Sequence, residues 1–75
     1  MQYNEQYETL MVSDVEYDGM FLELWDRTTG EVAQVACYSD ADGSIEFTRY
    51  RWDVPHDVEI RFREEALRRL PPIPR

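Results

Sequence analysis

Cys37 and His56 are the single cysteine and the single histidine of this chain, and a thiol beside an imidazole is the minimal nucleophilic pair. That chemistry requires the two side chains within hydrogen-bond reach and a third group to orient the ring. Cys37 lies in the middle of an apolar run read as a strand, whereas His56 opens a segment read as a helix. A buried structural thiol and an ordinary first-turn histidine are therefore expected. Neighbouring acids such as Glu64-Glu65 or Asp40 and Asp42 could in principle divide acid–base work. With 16 Asp and Glu in 75 residues, however, such pairs arise by chance.

The run Asp40-Ala41-Asp42-Gly43-Ser44-Ile45 matches the middle of a calcium-binding loop, with Gly43 at the sixth position and Ile45 at the eighth. Tyr38 and Arg49 would then occupy the first and twelfth positions, where an Asp and a bidentate Glu are required. A plain hairpin turn is the better reading. The three glycines all fall in turn signals, and no Gly-rich phosphate loop is present. No catalytic residue, cofactor or metal is expected, and the chain is not expected to be an enzyme.

Charge is more informative. The formal net charge is −8, with a pI near 4.4, which argues against direct binding to nucleic acid or to an anionic membrane surface. The distribution is uneven: residues 1–46 carry eleven acids and one arginine, net −10, whereas residues 47–75 carry five acids and seven arginines, net +2. Lysine is absent and all eight basic residues are arginine, a bias that suggests a GC-rich genome. Arg61 and Arg68, with Glu64 and Glu65 beside them, are expected on a solvated helix face, with offset pairs such as Glu64–Arg68. A basic helix set against an acidic sheet edge would also suit head-to-tail self-association or an acidic partner. The tail Pro71-Pro72-Ile73-Pro74-Arg75 holds a Pro-x-x-Pro pattern, read as a helix stop followed by a stiff end.

A lone cysteine excludes an internal disulfide and favours a reducing compartment. The first twenty residues hold five acids and no base, the wrong pattern for a signal peptide. The longest uncharged stretch, Val32 to Ser39, is far short of the roughly 20 residues that span a bilayer. A cytoplasmic protein is expected.

These side chains must be positioned by short elements. Turn signals at Asp18-Gly19, Asp26 to Gly30 and Ser39 to Gly43 separate runs of strand composition at Met20–Asp26, Glu31–Tyr38 and Ser44–Trp52. Leu10–Tyr17 is read as a further strand, with a short helix capped by Asn4 as the alternative; residues 1–8 are left loose. Val54-Pro55-His56-Asp57 has the signature of a helix start, and Pro71-Pro72 of a stop. Val58, Phe62, Ala66 and Leu70 then form one apolar stripe. Val58 to Arg63 also alternates as a strand would, but the strong helix formers from Glu64 onward favour the helix.

The expected fold class is α+β: one domain, residues 1–75, with a three- or four-stranded antiparallel meander and a C-terminal helix packed on one face. Its expected core is Leu22, Leu24, Val35, Cys37, Ile45, Phe47, Phe62, Ala66 and Leu70. The other sheet face would carry Phe21, Trp25, Tyr38, Tyr50 and Trp52, an aromatic surface suited to binding a partner. These features predict a small acidic protein-binding module, of the inhibitor or immunity type, that occupies a basic site on a protein partner. The alternative is a structural homo-oligomer that uses the aromatic face as its subunit interface.

Overall fold

The computed structural model describes residues 2–14, 19–39 and 43–70. Four strands precede one helix: β1 (Tyr7–Asp14), β2 (Gly19–Asp26), β3 (Glu31–Tyr38), β4 (Ile45–Arg49) and α1 (His56–Arg69). The strands pair in sequence order, each antiparallel to the one before. The result is an α+β meander with a single helix across one face.

Local chemistry explains most of the element boundaries. Gly30 adopts φ +73°, and its N–H donates to the Asp26 carbonyl at 2.8 Å. Gly43 adopts φ +74° and closes the Ser39 turn in the same way, at 2.8 Å. Glycine takes this left-handed conformation without the Cβ clash that costs other residues about 1–2 kcal/mol. Gly19 is paired with Asp14 as the first residue of β2, while Asp18, the other half of the expected Asp18-Gly19 turn, lies outside the described residues. Residues 15–17 of the expected first strand and the tail 71–75 also lie outside them. Pro55 sits at the N-cap of α1, its carbonyl accepting the N–H groups of Val58 and Glu59 at 3.1 Å each. Asp57 and Glu59 in the first turn, and Arg68 and Arg69 in the last, match the helix dipole.

The helix buries Val58, Phe62, Ala66 and Leu70 against Tyr7, Leu22, Leu24, Ala33, Ala36 and Val54. Ile45 and Phe47 pack at the border of this cluster, and the Phe47 ring meets Phe62 edge-on at 6.3 Å.

Several expectations need correction. Val35 and Cys37, assigned to the core, face away from the helix; Ala33 and Ala36 are buried in their place. Leu22 pairs with Ala36 and Glu23 with Val35, which puts Ala36 on the helix side with Leu22. A bulge in β3, where Leu24 pairs with Gln34 but Trp25 with Val32, leaves Ala33 as the extra residue and parts it from Val35 and Cys37. A shift of one residue exchanges the two faces of a strand. Tyr38 is likewise on the helix side, paired with Met20 and Ile45 and packed on the core.

Strand β4 ends at Arg49 rather than at Trp52, because the Tyr50 and Arg51 N–H groups both turn to the Ala33 carbonyl, at 2.9 and 3.2 Å. The N-terminal residues are not loose. Asn4 Oδ1 accepts the N–H groups of Gln6 and Tyr7 at 2.8 Å each, forming a turn rather than a helix cap.

Two buried carboxylates tie these elements together. Glu65, expected on the solvated face, is 1% exposed. It accepts hydrogen bonds from the Tyr3 hydroxyl at 2.5 Å and the Thr9 hydroxyl at 3.0 Å, and it pairs with Arg69. The i,i+4 ion pair of the helix is thus Glu65–Arg69, one position beyond the expected Glu64–Arg68. Asp26, also 1% exposed, accepts the Thr28 hydroxyl at 2.6 Å and its N–H at 3.0 Å. Arg51 reaches Asp26 at 3.1 Å and spans onward to Asp53 and Glu31, at 2.7 and 3.4 Å.

Asp26 is held below the usual carboxylate range, foremost by the Thr28 hydroxyl, against the opposing effect of burial. For Glu65 burial is the largest influence and raises the value, but bonds from Tyr3, Thr9 and Arg69 together with the arginine charge outweigh it and leave it lowered. A carboxylate lowered by folding stabilises the protein above its unfolded value, and that contribution is lost as pH falls through the folded value. The melting temperature is therefore expected to hold above about pH 5 and to fall steadily below about pH 4. Circular-dichroism melts between neutral and strongly acidic pH would show this; a melting temperature that does not fall on acidification would contradict it.

Candidate functional site

Strand pairing brings the side chains that point away from α1 into rows. Val12, Phe21, Cys37 and Glu46 form one; Leu10, Glu23, Val35 and Thr48 form the next; Glu8, Trp25 and Val32 form a third. No described element covers them. The face is therefore apolar at its centre, with carboxylates set into it. Leu10 is 52% exposed, while Phe21, Trp25, Val32, Val35 and Cys37 half-bury one another. The Trp25 indole N–H donates to Glu23 Oε1 at 3.0 Å, which orients both side chains. Glu8 pairs with Arg27 at 3.5 Å at the margin. An open groove of about 410 Å³ runs between Glu23, Val32, Val35 and Tyr50. The bulge builds it, because Tyr50 is held beside β3 by its bond to the Ala33 carbonyl.

Of the five aromatic residues assigned to a docking surface, the fold brings three together: Phe21 and Trp25 on the bare face, and Tyr50 on its edge. Tyr38 is on the helix side, as described. Trp52, 79% exposed, lies beyond β4 with the Arg49 guanidinium 4.8 Å from its ring centre. Arg49 in turn pairs with Glu59 of α1 at 3.0 Å, so Trp52 belongs to the helix side of the molecule. Sequence reading missed Leu10, Val12, Glu23, Val32, Val35 and Cys37. The β2 alternation already placed Glu23 between Phe21 and Trp25, but the flanking residues follow only from the register.

The residues considered for catalysis are not assembled. Cys37 faces away from the helix, whereas exposed His56 begins it, so the sheet lies between them. Burial, and then the Glu46 charge, push the Cys37 thiol up, which keeps it protonated. Glu64 is exposed where Glu65 is buried. Asp40 and Asp42 lie outside the described residues, and among those described no three His, Cys, Asp or Glu side chains are grouped to hold a metal ion.

The arginines of the basic half are largely spent within the fold. Besides Arg49, Arg51 and Arg69, Arg61 stacks on Tyr3 and Arg63 on Phe47, each with its guanidinium 4.6 Å from the ring centre. The charge asymmetry of the sequence thus serves intramolecular pairing across the helix side and leaves the bare face acidic. Among the described residues no helix is long and apolar enough to cross a membrane. The chain matches no protein-family model, no curated protein and no solved structure with significance.

Proposed function

We propose that this chain is a non-enzymatic, cytoplasmic protein-binding module that docks a basic protein on the bare face of its sheet. The observation that carries the reading is the composition of that face. Apolar rows centred on Phe21, Trp25 and Val35 are interrupted by Glu23 and Glu46, and the face's arginine, Arg27, is already paired with Glu8. Apolar anchors supply affinity once water is excluded, and unpaired carboxylates steer a cationic partner. The same composition disfavours the homo-oligomer, since two such faces brought together would oppose like charges.

The test is affinity capture from a cell extract at low ionic strength with the wild-type chain, Leu10→Arg and Val35→Arg. A basic protein should be retained by the wild type, lost with either variant, and released as salt rises. Retention indifferent to both substitutions and to salt would refute the reading. So would sedimentation showing a tight dimer in which Trp25 is shielded from iodide.

A further inference from the structure

The groove beside Tyr50 supports a narrower statement, which rests on the docking reading: we infer that it is the seat of an arginine side chain presented by the protein partner. Its lining has the parts such a side chain needs. Tyr50, 61% exposed, offers a ring; Glu23 offers a carboxylate; Val32 and Val35 offer an aliphatic wall for the methylene stem. Glu23 Oε1 is occupied by the Trp25 indole, so the carboxylate is held in place while its other oxygen is not engaged by that bond.

The molecule already uses this arrangement with its own arginines on the opposite side. The Arg49 guanidinium lies 4.8 Å from the Trp52 ring centre and pairs with Glu59 at 3.0 Å, so ring and carboxylate grip one cation together. Tyr3 and Phe47 each hold an arginine at 4.6 Å. In the groove a ring and a carboxylate again line one space. Among the described residues no arginine stacks on Tyr50 or pairs with Glu23; the nearby Arg27 and Arg51 are drawn to Glu8 and to Asp26. Arginine suits the site better than lysine because a planar guanidinium can stack on the ring while its N–H groups meet the carboxylate.

The experiment uses the full chain, ¹⁵N-labelled, titrated with Nα-acetyl-arginine amide. Nα-acetyl-lysine amide and the neutral isostere Nα-acetyl-citrulline amide serve as controls. Saturable shifts are expected at the Val32, Val35 and Tyr50 amides with the arginine probe, several-fold weaker ones with lysine, and none with citrulline. Glu23→Gln should abolish the response while remaining folded, since its amide oxygen still accepts the Trp25 indole N–H. Absence of saturable shifts, an equal response to citrulline, or an unchanged response in Glu23→Gln would overturn the assignment. Movement of the same amides on concentrating the protein without probe would give the groove to a second copy and overturn it as well. In the capture assay Glu23→Gln should lower retention at least tenfold. Loss of capture with Val35→Arg but not with Glu23→Gln would refute the arginine seat and leave the docking face standing. Capture indifferent to both would refute both.

Discussion

Phe62→Ala is expected to cost about 3–5 kcal/mol and to leave the chain largely unfolded at room temperature. Phe62 is fully buried at the centre of the α1 stripe, and its ring meets Phe47 edge-on, so truncation removes both its buried area and an aromatic pair. The surrounding cluster has little freedom to collapse into the space. Leu22 and Leu24 are held by strand pairing, and Ala33 and Ala36 are too small to reach across. A single core in a 75-residue chain leaves only about 3–5 kcal/mol of net stability, so the loss consumes nearly all of it. Far-ultraviolet circular dichroism with urea titration reads the result. A variant that melts within a few degrees of the wild type would show that the helix is not anchored through this residue.

The second large effect is expected at Glu65. Glu65→Ala removes the acceptor shared by the Tyr3 hydroxyl, the Thr9 hydroxyl and Arg69, leaving the buried Thr9 hydroxyl without this acceptor. Removing one partner of a buried charged network costs about 3 kcal/mol, chiefly through the groups left behind. Arg69 is 39% exposed and can turn to water, which keeps the cost below that of a wholly buried pair. Because Tyr3 and Thr9 link residues near the N-terminus and β1 to α1, the loss should also free the N-terminal segment. Hydrogen exchange would show it as lost protection of the Tyr3 and Tyr7 amides. Glu65→Gln should cost less, since the amide oxygen still accepts one hydroxyl. Wild-type stability in Glu65→Ala would show that this network contributes nothing to holding the helix.

The stripe Val58, Phe62, Ala66, Leu70 was legible because four-residue spacing, a proline start and a proline stop agreed, and local signals of that kind act within one element. The turns at Gly30 and Gly43 were legible for the same reason. Glu65 was not: it ends the charged run Arg63-Glu64-Glu65, and nothing local reveals hydroxyl groups from Tyr3 and Thr9, 62 and 56 residues away. The bare face was half legible. Phe21 and Trp25 follow from alternation in β2, but in β3 both faces carry apolar residues, so alternation cannot say whether Val35 and Cys37 or Ala36 and Tyr38 go inward, and it groups Ala33 with Val35.

The chain's own residues therefore determine an antiparallel meander of three or four strands, a helix entered at Pro55 and a strongly acidic N-terminal half, because spacing, turn chemistry and charge are properties of neighbours in sequence. Tertiary structure alone decided which side of β3 the helix covers. Small alanines admit the helix and its Phe62 closely beside bulky Leu22 and Phe47, and the bulge at Ala33 supplies the one-residue shift that sets Val32 on the same outward face as Val35, beside Glu23 and Tyr50.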